Sequence, residues 1–156
     1  MLAQSKTDDN IALTKGYNMA FGAVSMRLLA EIADDLIDTL LVNCLPKGKE
    51  SDDAETRRQA VKSLITAVTT LGIEKISVDR LKKVIETLYK GLEDYALDRR
   101  GDVGSWVREE AMKALTVMVQ LLIELQGKES TEAQAITESI GSNQAGFYEA
   151  YVGALL

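Results

Sequence analysis

The sequence predicts an all-α fold of six or seven helices, on three observations. Apolar residues recur at helical spacing through most of the 156-residue chain, and no period-2 alternation is long enough for a strand. The chain has a single proline, Pro46, against an average usage of about 5%, too little turn punctuation for a many-stranded β fold. Recognisable caps and glycines separate the periodic stretches. A chain of about 150 residues can bury roughly two-thirds of its unfolded surface, enough for one domain with a real core.

Residues 9–24 read as a helix with Ala12, Leu13, Gly16, Met19, Ala20 and Ala23 on its apolar side. Leu28, Leu29, Ile32, Ala33, Leu36, Ile37, Leu40, Leu41, Cys44 and Leu45 then form a broad stripe on a second helix, which Pro46 stops. The third stripe is Ala54, Ala60, Val61, Leu64, Ile65, Val68 and Leu71. Asp52 and Glu55 are placed to cap it, and Gly72 to end it in the left-handed conformation, with Ile73 folding back on Val68. Ser77 caps the fourth helix, which carries Val78, Leu81, Val84, Ile85, Leu88 and Leu92 and ends near Tyr95. After a turn at 98–101, Asp102 caps a long helix that buries Val103, Val107, Ala111, Leu115, Met118, Leu122 and Leu125 and ends at Gly127. A short helix from Ser130 to about Ile140 and a last one through Phe147, Tyr148, Tyr151, Val152 and Leu155 complete the series.

Composition removes several function classes. There is no histidine and one cysteine, so Ser-His-Asp and Cys-His catalysis, His-ligated metals and disulfide frameworks are excluded. Neither a catalytic residue, a metal ligand set nor a cofactor site is expected. The net charge is −6, and residues 101–156 hold 8 acids against 3 bases, which argues against nucleic acid as a partner. The polar, acidic first ten residues do not form a signal peptide, and no apolar run is long enough for membrane insertion. A soluble cytoplasmic protein is the expectation.

Two stretches share the pattern R-x-x-A-x-x-x-L: Arg57, Ala60, Leu64 and, 51 residues on, Arg108, Ala111, Leu115. Asp102 and Val107 extend the second to D-x-x-x-x-V-R-x-x-A-x-x-x-L, a spacing that resembles the HEAT repeat. In such a repeat the aspartate caps a helix, the Val, Ala and Leu positions face the neighbouring layer, and the arginine reaches an aspartate in the adjacent turn. The expected architecture is therefore a HEAT-like, armadillo-type α-α superhelix forming one domain over 1–156. Its units are 9–45, 51–95 and 102–141, with 143–156 beginning a further, truncated unit.

The run from Leu92 to Met112 is more specific. Tyr95, Asp98, Arg100, Gly101, Asp102, Val103, Gly104, Trp106, Val107, Arg108, Ala111 and Met112 resemble the signature of the tubulin-folding cofactor D family (tubulin-specific chaperone D). Gly16, Ala20, Gly22, Ala23, Leu28 and Leu29 resemble an upstream helix junction of the same family, and Glu55 to Gly72 its next helix. The resemblance covers residues 9–126 well and 127–156 poorly. It implies a non-catalytic helical-repeat chaperone whose partners are β-tubulin, other tubulin-folding cofactors and an Arf-like small GTPase. It also implies a GTPase-activating role shared with those cofactors, and a place in the cytoplasm at the microtubule cytoskeleton. Members are several times longer, so this chain reads as a fragment of the C-terminal portion. The alternative is a generic HEAT scaffold or adaptor without a tubulin role.

Trp106 is the lone tryptophan, expected as a packing anchor that closes the Arg100–Asp102 turn, with a partner hot spot as the sharper reading. Gly101 and Gly104 suggest close helix approach; no P-loop pattern accompanies them. The acidic pairs Asp34-Asp35, Asp52-Asp53 and Glu109-Glu110 point about 100° apart on a helix and cannot converge on one ligand. Asp34, Asp35 and Asp38 share one helical side, an acidic docking patch or simply a polar outer face. The basic candidates for partner contact are Arg57, Arg58, Arg80, Lys82, Lys83 and Arg99, against the default of ordinary surface charge. Cys44 is expected to be a small buried hydrophobe.

Overall fold

The computed structural model describes residues 10–48 and 53–126. They form five packed α-helices: α1 (Ile11–Gly22), α2 (Met26–Asn43), α3 (Ala54–Leu71), α4 (Val78–Leu92) and α5 (Gly104–Gln126). A 3-10 turn at Ile73–Lys75 follows α3. The expected helices beyond residue 127, and Asp52, lie outside the described residues. No helix among those described is long and apolar enough to cross a membrane.

α3 is the centre of the five described helices. It packs against α1, α2 and α5, and α4 packs against α5. Its sequence explains this role, because small and branched residues alternate around it and Ala54, Ala60, Val61, Leu64, Ala67, Val68 and Leu71 are all buried. The core continues through Leu36, Ile37 and Leu40 of α2, Leu81, Val84 and Leu88 of α4, and Val107, Leu115 and Met118 of α5. Cys44 lies within it, and burial pushes its thiol far above the ordinary range, which keeps it unreactive.

The helix ends differ from expectation in three places. The side chain capping α3 is Asp53, whose Oδ2 accepts from the Thr56 backbone N–H at 3.0 Å and from its hydroxyl at 3.1 Å. Gly72 has positive φ as foreseen, but its φ of 92° and ψ of 131° are not left-handed helical. The chain therefore leaves α3 into the 3-10 turn instead of closing a Schellman motif. Ser77 occupies the N-cap of α4 with extended backbone, and its side chain makes no capping bond.

α1 departs most. Ala12, Leu13, Gly16, Met19, Ala20 and Ala23, the expected core face, are all exposed. The buried residues are Thr14, Asn18 and Phe21, with Tyr17 half-buried and stacked on Phe21. Hydrogen bonds make the polar burial tolerable. The Asn18 side chain donates to the Thr56 carbonyl at 3.2 Å and accepts from Asn43 at 2.9 Å, while its own carbonyl accepts from the Ser63 hydroxyl at 2.6 Å. On α2 the expected stripe holds except at Leu28, which is exposed.

A minimal ladder also forms where no strand was expected. β1 (Leu97–Asp98) and β2 (Gly101–Asp102) pair antiparallel, with Leu97 opposite Asp102 and Asp98 opposite Gly101. Gly101 takes φ 105°, a conformation that favours glycine. Asp98 Oδ1 accepts from the Arg100 N–H at 2.7 Å and tightens the turn. Two residue pairs are too few for period-2 alternation to register in a sequence.

Candidate functional site

The motif residues gather at one joint, where the end of α4, the hairpin and the starts of α3 and α5 meet. α4 and α5 come close because Gly91 has no side chain; a Cβ there would lie 3.1 Å from the Cβ of Ala111. The chain then buries a charged residue, Asp94. Arg57 of α3, equally buried, answers it with a fork: Nε to Oδ2 at 2.7 Å and Nη2 to Oδ1 at 3.1 Å. Asp94 Oδ1 also accepts from the Ala96 N–H at 3.1 Å.

A second arginine closes the joint from α5. Arg108 Nη1 donates to the Asp94 carbonyl at 2.5 Å, and its Nη2 to Asp102 Oδ2 at 2.6 Å. The same guanidinium lies 4.7 Å over the Tyr95 ring. Asp102 Oδ1 accepts from the Ser105 N–H at 3.1 Å, which caps the first turn of α5. Arg108 and this backbone bond hold the Asp102 carboxyl below the usual carboxylate range. Gly104 donates its N–H to the Ala96 carbonyl at 2.9 Å, and any Cβ on it would run into the Asp94 carbonyl and the Ala96 nitrogen. Glycine is required there by space.

Arg100 forms the outer layer. It lies 4.9 Å over the Trp106 ring and pairs with Asp98 at 2.6 Å. It also reaches Asp53, the cap of α3, at 3.8 Å. Its hydrogen bonds depress the Asp98 carboxyl in turn. Trp106 is half-buried, packed against the core on one side and roofed by Arg100 on the other. The tip leaves Tyr95 and Leu97 exposed, at 72% and 76%, together with Arg99.

The charged residues of this cluster are engaged with one another, so the arrangement positions three helices. The structure brings together Tyr95, Asp98, Arg100, Gly101, Asp102, Gly104, Trp106 and Arg108. It disperses the basic candidates. Arg57 is buried against Asp94 and is withdrawn as a contact residue. Arg80 ties α4 to α2 through Asp34 at 2.6 Å and Asp38 at 3.0 Å, so the acidic cluster on α2 is in part a bridge between helices. Arg58 is shared between Glu55 at 3.5 Å and Glu110 at 3.6 Å. Lys83 and Arg99 are exposed and Lys82 half-buried, and none of the three is ion-paired among the described residues.

Asp94 is the residue that sequence reasoning missed. The signal was present, since both R-x-x-A-x-x-x-L arginines require an acidic partner and Asp94 stands between the helices that carry them. The Asn18, Asn43 and Ser63 cluster left no comparable trace.

No family model matches the chain, and no solved structure does. Among curated proteins it is similar to the tubulin-specific chaperone D of Dictyostelium discoideum, 25% identical over 155 residues. The match takes in 86% of this chain and 10% of that relative, so the chain spans about a tenth of the relative's length. The chain is distantly homologous to tubulin-specific chaperone D over most of its length.

Proposed function

We propose that this chain is a non-catalytic helical-repeat module of a tubulin-folding chaperone. In this reading its helices are layers of a HEAT-like superhelix, and it binds β-tubulin while serving tubulin assembly and disassembly in the cytoplasm. Fellow tubulin cofactors and an Arf-like small GTPase are its further partners. The distant relation to tubulin-specific chaperone D carries the proposal. The packing is compatible with it, because α3 is covered by α1 and α5, two positions away in sequence on either side, as helices of stacked layers are. The joint at Asp94 fixes the angle between layers, and Lys82, Lys83 and Arg99 remain as cationic groups for an acidic partner.

The test is retention of purified tubulin on the immobilised chain at low and at high salt. Retention that weakens with salt, and that Lys83→Glu with Arg99→Glu abolishes without changing the melt, is expected. No retention of tubulin at low salt would overturn the proposal and leave a scaffold without a tubulin role.

A further inference from the structure

Residues 93–103 join α4 to α5, a longer connection than the roughly 2–8 residues that suffice between packed helices. The surplus forms the β1–β2 hairpin, whose stem is fixed from beneath. Arg57 holds the Asp94 carboxylate, Arg108 the Asp94 carbonyl, and the Gly104 N–H the Ala96 carbonyl. From Asp94 to Leu97 burial alternates. Asp94 is buried and Ala96 half-buried, whereas Tyr95 and Leu97 are the two most exposed large apolar side chains among the described residues. The alternation is that of extended chain, in which residues two apart share a side, so Tyr95 and Leu97 face outward together. Arg108 covers one face of the Tyr95 ring, and Leu97 packs against no part of the core.

Charge at the hairpin is uneven. The carboxylates of Asp94, Asp98 and Asp102 are answered by Arg57, Arg100 and Arg108 in turn. Glu93, the remaining acid of the connection, stands at its far end, at the C-cap of α4. Arg99 is exposed in the turn between the strands and pairs with no carboxylate among the described residues. The apex therefore shows the outside two apolar side chains and one uncompensated guanidinium. Such a surface complements an acidic one with an apolar recess.

We propose that the hairpin apex is a partner-binding anchor, in which Tyr95 and Leu97 enter an apolar recess on an acidic protein surface and Arg99 pairs with a carboxylate at its rim. The inference rests on the tubulin-chaperone reading above and gives that reading its point of contact. Three side chains make a hot spot and not a whole interface, so their part is read as a loss from a larger contact. The stem suits the role. Two guanidinium groups already hold it in place, so little backbone order remains to be lost on binding.

The test is equilibrium titration of the full chain with purified tubulin at low and at high salt. Leu97→Ala is expected to weaken binding about tenfold at both. Arg99→Gln is expected to weaken it at low salt and to flatten the salt dependence. Lys62→Gln removes the same charge from an exposed position on α3 and should change neither. All three side chains are exposed, so the thermal melts should match that of the parent and separate lost binding from lost folding. Tubulin bound as tightly by Leu97→Ala as by the parent overturns the anchor and leaves the tubulin reading standing. A loss in Lys62→Gln equal to that in Arg99→Gln does the same, since overall charge would then be the attraction. A parent chain that binds no tubulin overturns both.

Discussion

Arg57 and Asp94, 37 residues apart, meet in a two-pronged ion pair with both side chains 3% exposed. One residue comes from the first turns of the central helix and the other from the end of α4, two helices that otherwise share little contact. The pair is thus the direct link between them, and the Arg108 bond to the Asp94 carbonyl adds α5. Both partners belong to the joint that the signature residues build.

Removing one partner of a buried ion pair leaves an uncompensated charge, at a cost of about 3–5 kcal/mol. Asp94→Ala is expected to lose that much in urea denaturation followed by circular dichroism. The double variant Arg57→Met with Asp94→Ala should be less destabilised than Asp94→Ala alone. A single variant within about 1 kcal/mol of the parent would show that the pair carries little, as exposed pairs do.

Two glycine substitutions should have opposite signs. Gly104→Ala drives a Cβ into the Asp94 carbonyl and the Ala96 nitrogen, and is expected to destabilise by about 1–3 kcal/mol. Gly16→Ala sits in open space on an exposed helix face and should stabilise the fold by about 0.5–1 kcal/mol. Thermal melts of both at low concentration make the comparison.

Acid should loosen the joint. Asp98 and Asp102 have folded pKa values below their ordinary ones, chiefly because Arg100 and Arg108 donate to them. An acid shifted down contributes stability in full above its unfolded pKa of about 4 and loses it as pH falls through the folded value. The melting temperature of the Asp98→Asn, Asp102→Asn variant should therefore lie furthest below the parent at neutral pH. Below about pH 4 the gap should close. A gap unchanged down to strongly acidic pH would contradict this assignment.

Trp106 is half-buried, so Trp106→Ala should cost less than the 3–5 kcal/mol typical of a fully buried aromatic, about 1.5–3 kcal/mol. Arg100→Ala removes the guanidinium roof and is expected to shift the tryptophan emission to the red with a smaller loss of stability. Emission that stays in place would mean that Arg100 does not shield the ring.

At the α1 interface, Asn18→Ala leaves the Asn43 amide and the Thr56 carbonyl without their mutual partner. The expected loss is about 1–3 kcal/mol in a urea melt. Hydrogen exchange should locate the new opening at α1 and at the first turns of α3.

The helices α2 to α5 were legible because their leucines and valines follow a single rule, burial at helical spacing. Asp102 could be placed for a similar reason, since a carboxylate before a helical run satisfies backbone N–H groups locally. α1 misled for a physical reason. Hydrophobic periodicity ranks faces by apolarity, and the packed face of α1 combines one buried ring, Phe21, with hydrogen bonds from Asn18, Asn43 and Ser63, which have no period. Arg57 misled in the same way, because a sequence records its charge and not the buried aspartate that neutralises it. The cap at Asp53 instead of Asp52 shows how a one-residue choice between neighbours eludes pattern reading.

The lopsided attachment of α1 has a mechanical meaning. α3, α4 and α5 are riveted by two guanidinium groups, one of them fully buried, whereas α1 adheres along one flank only, through the ring of Phe21, amide and hydroxyl contacts and one exposed ion pair. Stretched from its two ends, the chain should therefore yield in steps, shedding α1 at low force while the riveted trio stays intact.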